Sequence, residues 1–343
     1  MKKLLAIAIA AGVSAPVLAD TTLYGQLHAS YDALSGATDK NTVASNSSRI
    51  GVKGSAELNA GLKAIYQAEW GIDTGGEAGG ADKTAVKGGG VSFSNRNQVV
   101  GLAGGFGALL IGRHDTPMKT VGRKADLFWS TQLGQNRSVT NPALWDIRAN
   151  NVIAYQTPKM GGFQALGAYV TDIAGSDDNT AFSVNGFYNA GPMMLGAGYE
   201  THDVDGAGDQ NAYRLVGSYK IGPAKLVGFY QDETNDAGVS ELLTGITGGT
   251  PDATVIGVGA AYKIGAGTVK AQYYTRDNDG AGADDPELIA IGYDHKLGSK
   301  TEVYGQYANV TDGAIGGAGH GEKVGPDAGG DAGGISVGIR HKF

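Results

Sequence analysis

The sequence contains no cysteine among its 343 residues, so disulfides, thiolate metal sites and cysteine nucleophiles are all excluded. Proline is scarce, at 9 residues, and after residue 19 no apolar run approaches the ~18 residues that mark a membrane-spanning helix. Few segments repeat their apolar residues with the 3.6-residue period of an amphipathic helix. Disulfide-stabilised folds and helical membrane proteins are therefore both disfavoured.

Glycine, by contrast, is abundant. The chain has 58 glycines, about 17% of its residues, where about 7% is usual. Glycine and proline together stay below the roughly 25–30% that indicates low-complexity disorder, and no Gly-X-Y period occurs, so collagen is excluded. Sixteen tyrosines supply rings with an apolar face and a polar tip, which suit a boundary between lipid and water.

The first nineteen residues have the pattern of a secretory signal. Lys2 and Lys3 precede an apolar stretch at 4–13, and the chain then reads Val-Leu-Ala at 17–19. A membrane anchor is the alternative, but the segment is shorter than the ~20 residues that a spanning helix needs. Cleavage before Asp20 would leave 25 basic and 34 acidic residues, a net charge of −9. Such an acidic chain is a poor partner for nucleic acid.

The remainder alternates apolar and polar residues with a period of two. At the end of the chain, Ile335, Val337 and Ile339 alternate with Ser336 and Gly338, as in a β-strand with two differently solvated faces. Sixteen such strands are predicted, at 21–34, 47–58, 61–74, 91–103, 108–115, 149–157, 162–172, 180–190, 193–203, 211–221, 224–234, 253–263, 267–277, 287–297, 300–310 and 334–343.

The connections alternate between short turns, such as Gly191-Pro192, and long loops, of which 116–148 is the longest. An even number of antiparallel strands with turns on one rim and loops on the other is typical of a transmembrane β-barrel. Closure pairs every backbone group, which lipid requires. Sixteen strands enclose an aqueous channel, whereas about eight are filled by their own side chains. A secreted β-sandwich or β-helix is the alternative, although neither needs tyrosines near so many strand ends.

Four segments resemble the Gram-negative trimeric porins, in particular those of the β-proteobacterial and neisserial type. They are 47–54 (SSRIGVKG), 95–102 (NRNQVVGL), 112–117 (GRHDTP) and 340–343 (RHKF). The resemblance implies a homotrimer of sixteen-stranded barrels in the outer membrane, each with a diffusion pore. It also implies that the third loop folds into the barrel and narrows it, and that the C-terminal Phe343 is the signal read by the outer-membrane assembly machinery.

The same resemblance implies a pore constriction that runs along 116–148 and the neighbouring wall. On its basic side we expect Arg49, Lys53, Arg96, Arg113 and Arg148, and on its acidic side Asp115 and Asp126. Lys53 is included because it shares the face of Arg49 by period two. The loop itself carries five basic and two acidic residues. A basic constriction favours anions while the net charge favours cations, and we expect the nearer charges to win, giving a moderate anion preference.

Two other functions stay open at this stage. No His-Glu-x-x-His, Gly-x-Ser-x-Gly or phosphate-loop motif is present, yet a barrel protease or lipase could assemble its residues in space. An adhesin or structural barrel would share the Gly- and Asp-rich loops at 235–252 and 311–333. The acidic segment 277–287 superficially resembles a calcium loop, but its glycine is misplaced for an EF-hand. We expect no cofactor and no metal; the expected partners are outer-membrane lipid and lipopolysaccharide, and ions and small solutes in transit.

Overall fold

The computed structural model describes residues 20–74, 93–142, 144–173, 178–244, 249–280, 284–316 and 323–343. The expected signal segment, 1–19, lies outside these ranges. Within them, no helix is long and apolar enough to cross a membrane.

The strands form one closed antiparallel sheet with sixteen positions. Both β2 and β3 pair with β1 and share one position, while β17 and β18 form a separate small hairpin. In the described residues the strands are β1 Asp20–Ser35, β2 Lys40–Ser45, β3 Arg49–Glu57, β4 Lys63–Ile72, β5 Phe93–Gly104, β6 Gly107–Asp115, β7 Arg148–Gln156, β8 Phe163–Val170, β9 Thr180–Ala190, β10 Met193–Val204, β11 Gly208–Ile221, β12 Ala224–Thr234, β13 Ala253–Ile264, β14 Gly267–Asn278, β15 Glu287–Lys296, β16 Thr301–Thr311, β17 Ile315–Gly316, β18 Lys323–Val324 and β19 Asp331–Lys342. β1 pairs with β19 from Gln26↔Lys342 to Ser35↔Gly333, which closes the barrel. The predicted sixteen-stranded barrel is confirmed.

The side chains are arranged inside out relative to a water-soluble protein. On β19, Ile335 and Val337 are 59% and 52% exposed, whereas Ser336 between them is fully buried. Most of the exposed large hydrophobic residues follow this alternation along the strands. The apolar face therefore points outward and the polar face inward, as lipid on the outside and water on the inside require.

One segment that was expected to be a loop contains a strand. The predicted strands 21–34 and 47–58 leave a loop at 35–46, but β2 lies within that loop and continues the second barrel position. The first three residues of β2, Lys-Asn-Thr, are all polar, so the sequence shows no alternation there. In the structure the alternation is present, since Val43 is exposed and Ala44 is buried. The strand breaks at Ser47, where φ is 58°, so sequence pattern alone cannot join the two halves.

The loop between β6 and β7 folds into the barrel, as predicted. It contains two helices, α1 (Pro117–Ala125) and α2 (Arg137–Thr140), and α1 begins where the Lys119 amide donates to the Thr116 hydroxyl. A third helix, α3 (Ala237–Thr244), lies in the loop after β12. α1 packs against β9–β12, and α2 packs against β14 and β15.

The main apolar core lies between this inner loop and the barrel wall. Phe128 and Leu133 of the loop are fully buried, and they belong to the same cluster as Phe229 and Tyr274 of the wall. The loop therefore fills the side of the lumen formed by β9–β16. Most inward residues of β3–β6 stay partly exposed, which leaves the open passage on that side.

Candidate constriction inside the barrel

A buried carboxylate on β4 gathers arginines from the strands on either side of it. Arg49 of β3 lies with Nε 3.4 Å from Glu69 Oε2, and Arg96 of β5 places Nε 2.5 Å from Oε1. The Tyr24 hydroxyl of β1 donates to the same carboxylate at 3.0 Å. A register shift between β4 and β5, at Ala68/Trp70, lies beside Arg96. Adjacent inward positions on neighbouring strands therefore build this group.

A second carboxylate, Asp115 at the end of β6, is surrounded by three more basic side chains. Lys119 Nζ lies 3.0 Å away, Arg148 Nη2 lies 2.9 Å away and Arg123 Nη1 lies 3.8 Å away. Arg148 faces Asp115 directly in the β6–β7 register, whereas the other two come from α1. Asn97 joins the group, since it donates to the carboxylate and accepts from Arg148 Nε at 2.8 Å.

The two groups interact electrostatically across the wall. Arg148 lies within the field of Arg96 and Glu69, and Arg49 lies within the field of Arg123. Five basic side chains thus share two carboxylates among the described residues of this cluster. Burial lowers the pKa of Lys119 to about 8, although the Asp115 carboxylate opposes this shift. We call these seven residues the basic cluster: Arg49, Glu69, Arg96, Asp115, Lys119, Arg123 and Arg148.

The structure brings together some of the residues expected in the constriction and separates others. Arg49 and Arg96 meet at Glu69, and Arg148 meets Asp115. Lys53 lies further along the inner face of β3, with its Nζ 5.1 Å from the centroid of the Tyr24 ring.

Two other expected residues have different hydrogen-bond partners. Arg113 donates to the Asn150 side chain on β7 at 2.5 Å, and its charge acts on Arg148. Asp126 does not join the basic cluster but is buried against β14, where Gln272 Nε2 donates to it at 3.0 Å. The backbone amides of Phe128 and Asn136 also donate to this carboxylate, so it shapes the loop. Burial raises the pKa of Asp126 to about 6.

Sequence reasoning missed Glu69, Asn97 and Tyr24, and it counted Lys119 and Arg123 only as loop charges. Glu69 alternates with Gln67 on a predicted strand, so its inward direction was available from period two. The partners of Glu69 could not be predicted in this way, because they depend on which strands are neighbours and on the register between them.

Buried ion pairs hold the loop against the far wall. Arg214 of β11 places Nη1 2.7 Å from Asp146 Oδ1, and both side chains are almost fully buried. Arg214 also donates to the Met118 carbonyl of α1 and to Gln231 of β12. Arg276 pairs with Glu233 and also donates to the loop at Val139.

The C-terminal residue completes the closure of the barrel. Gly25 and Phe343 exchange backbone hydrogen bonds of 3.3 and 3.2 Å. A Cβ on Gly25 would lie only 2.4 Å from Cζ of Phe343, so the glycine makes room for the ring. Phe343 is 41% exposed on the outer face, in line with Ile339.

Comparisons with known proteins agree with one another. A family model described as Gram-negative porin matches residues 5–314. Outer membrane porin protein 32 of Delftia acidovorans is 32% identical over the whole of this chain and 99% of its own. Major outer membrane protein P.IB of Neisseria gonorrhoeae is 29% identical over 58% of this chain and 57% of its own.

Solved structures give the same result. The anion-selective porin from Comamonas acidovorans superposes with a TM-score of 0.78 at 28% identity, covering 95% of this chain and 100% of that one. Vibrio cholerae OmpT in its trimer form superposes with a TM-score of 0.67, covering 94% of this chain and 99% of that one. Its 18% identity makes this a likeness of fold alone.

Proposed function

Because the chain belongs to the Gram-negative porin family, we propose that its basic cluster makes it an anion-preferring pore. The protein is an outer-membrane diffusion channel for ions and small hydrophilic solutes, and not an enzyme. The preference for anions is a more specific property than the channel function itself. The similar porin from Comamonas acidovorans is anion-selective, and the inner wall of this chain supports the same property here.

The observation that carries the proposal is the excess of positive charge in the basic cluster. Arg49, Arg96, Lys119, Arg123 and Arg148 outnumber Glu69 and Asp115 where the inner loop approaches the β3–β7 wall. Arg49 and Arg123 are 27% and 39% exposed, so their charge reaches the open side of the lumen. A channel lined by low-dielectric walls concentrates the field of such groups on a passing ion.

The negative net charge of the chain opposes this preference. Its effect is weakened because many of the carboxylates lie far from the passage. Many of the carboxylates lie in exposed loops, where salt screens them within about 8–10 Å. Groups beside the passage act on an ion that has lost part of its hydration. The basic cluster therefore outweighs the more numerous but remote acidic residues.

The test is the reversal potential of the purified protein in a planar bilayer under a KCl gradient. We expect wild type to prefer chloride moderately, most strongly at low salt, and Arg49→Gln with Arg96→Gln to shift the potential toward potassium. The matched control is Lys220→Gln with Lys263→Gln, which removes the same charge from exposed strand ends near the turns. A cation-selective wild type, or equal shifts in both double variants, would contradict the proposal.

The assembled state belongs to the same proposal. We propose a homotrimer, because the barrel presents a wide outward apolar face that a closed symmetric oligomer would partly cover. The rest of that face would contact outer-membrane lipid and, in the outer leaflet, lipopolysaccharide.

A further inference from the structure

The inner wall carries a pocket that the basic cluster does not occupy. It has a volume of about 370 Å³ and lies on β1 and β3–β6. Register places Lys53, Gln67 and Val99 in one row across three adjacent strands. Lys53 lies four residues along β3 from Arg49, which is about 13 Å on the same face. A solute that leaves the basic cluster along this wall meets the pocket next.

One half of the pocket is polar and positively charged. Lys53 is exposed there, with its ammonium over the Tyr24 ring and no carboxylate partner among the described contacts. The Gln67 amide, the Thr22 hydroxyl and the His114 imidazole line the same space. The amide and the hydroxyl can donate to a single carboxylate, and the ammonium supplies a charge-assisted hydrogen bond.

The other half is apolar, which is unusual for the water-facing side of a barrel. Ile65, Val99 and Leu110 point inward from β4, β5 and β6. Register places Gly101 between Ile65 and Leu110, and a Cβ there would lie 2.9 Å from Leu110 Cδ2, so the leucine side chain covers the glycine and continues the apolar row. Leu110 also packs against the buried aliphatic cluster of β7–β9. The pocket thus offers an aliphatic surface next to a cation.

We propose that this pocket is a subsite for anions that carry one carboxylate on an apolar body, such as an aromatic or branched monocarboxylate. The carboxylate lies at Lys53, and the body lies on Val99 and Leu110. Asp20, which also lines the pocket, disfavours a second negative charge. The inference rests on the proposed function, since the solute must first pass the basic cluster. Weak binding of this kind concentrates a solute in the pore and still releases it.

Bilayer recordings with potassium benzoate and potassium acetate test the subsite. We expect wild type to pass benzoate at least as well as acetate, although benzoate is larger. Val99→Thr keeps the shape and replaces one methyl group by a hydroxyl, and Leu110→Ser removes the apolar surface. Val99→Thr should lower the benzoate-to-acetate permeability ratio by roughly fourfold, the effect of about one buried methylene, and Leu110→Ser should lower it further. Leu110→Met, which keeps an apolar side chain, should retain the wild-type ratio.

The outcomes separate this inference from the proposed function. Benzoate far below acetate in wild type, or an unchanged ratio in Val99→Thr, would overturn the subsite while leaving the chloride preference intact. The KCl reversal potential, recorded in the same bilayers, should be the same for wild type and both variants. A cation-selective wild type would contradict the proposed function instead. If Leu110→Ser fails to assemble, Val99→Thr still decides the question.

Discussion

Lys119 is buried in the basic cluster, and its environment brings its titration close to neutral pH. Its Nζ lies 3.0 Å from Asp115 Oδ1, and burial lowers its pKa from 10.5 to about 8. The charge of the cluster therefore depends on pH in a range where arginines do not titrate.

Raising the pH from 7 to 9 should reduce the chloride preference, because Lys119 loses its charge while the four arginines keep theirs. Reversal potentials in KCl gradients at several pH values measure this. The Lys119→Gln variant should start with a weaker preference and show little further change with pH. Arg123→Gln is the matched control, because it also removes one positive charge yet should keep the titration near pH 8.

Loss of the folded state does not explain the expected change. A lysine whose pKa is lower in the folded than in the unfolded state makes the protein more stable, not less, as pH rises from about 8 toward 10.5. Equal pH dependence in wild type and Lys119→Gln would show that another group titrates.

At the scale of the elements, buried ion pairs hold the inner loop in position against the far wall. Asp146 near the end of the loop and Arg214 of β11 are both almost fully buried, so neither has water to replace its partner. Removing one member of a buried pair typically costs about 3–5 kcal/mol, because the remaining charge is uncompensated.

We therefore expect Asp146→Asn to lower the free energy of unfolding by about that amount and to increase open-channel current noise. Arg214→Met should have a similar cost. The double variant should lose less than the two single losses added together, by about 0.5–3 kcal/mol. Urea titration in detergent measures these values. Glu57→Gln, which breaks the exposed Lys63 pair, should change stability little. Strictly additive losses would mean that the pair does not anchor the loop.

The strands of this barrel could be predicted from the alternation of apolar and polar residues. The contacts of the inner loop could not be predicted from the sequence. Every predicted strand overlaps an observed one, because lipid outside and water inside impose period two. The position of Asp126 was missed because its partner Gln272 is 146 residues away, and nothing local to either residue links them. The role of Glu69 was missed for the same reason, since its partners lie on adjacent strands. Local pattern gives the direction of a side chain, whereas register decides what it touches.

At the scale of the whole molecule, closure depends on the two ends of the described chain. β1 pairs with β3 along its first half and with β19 along most of its length, so it is the seam of the barrel. Because the last strand has to complete this seam, we expect the residues at its end to affect assembly more than they affect the finished pore.

Deleting Phe343 should therefore reduce the amount of trimer in the outer membrane, with little change in the conductance of channels that do form. The ring covers Gly25 on the outer face, away from the basic cluster, so its loss exposes the seam without altering the passage. The measurements are the trimer band of unheated outer-membrane fractions in mild detergent, and single-channel conductance. Phe343→Tyr keeps an aromatic ring at this boundary position and should assemble nearly as well as wild type. A normal trimer yield from the truncated chain would rule out a role for Phe343 in assembly, and a monomer band from wild type would rule out the homotrimer itself.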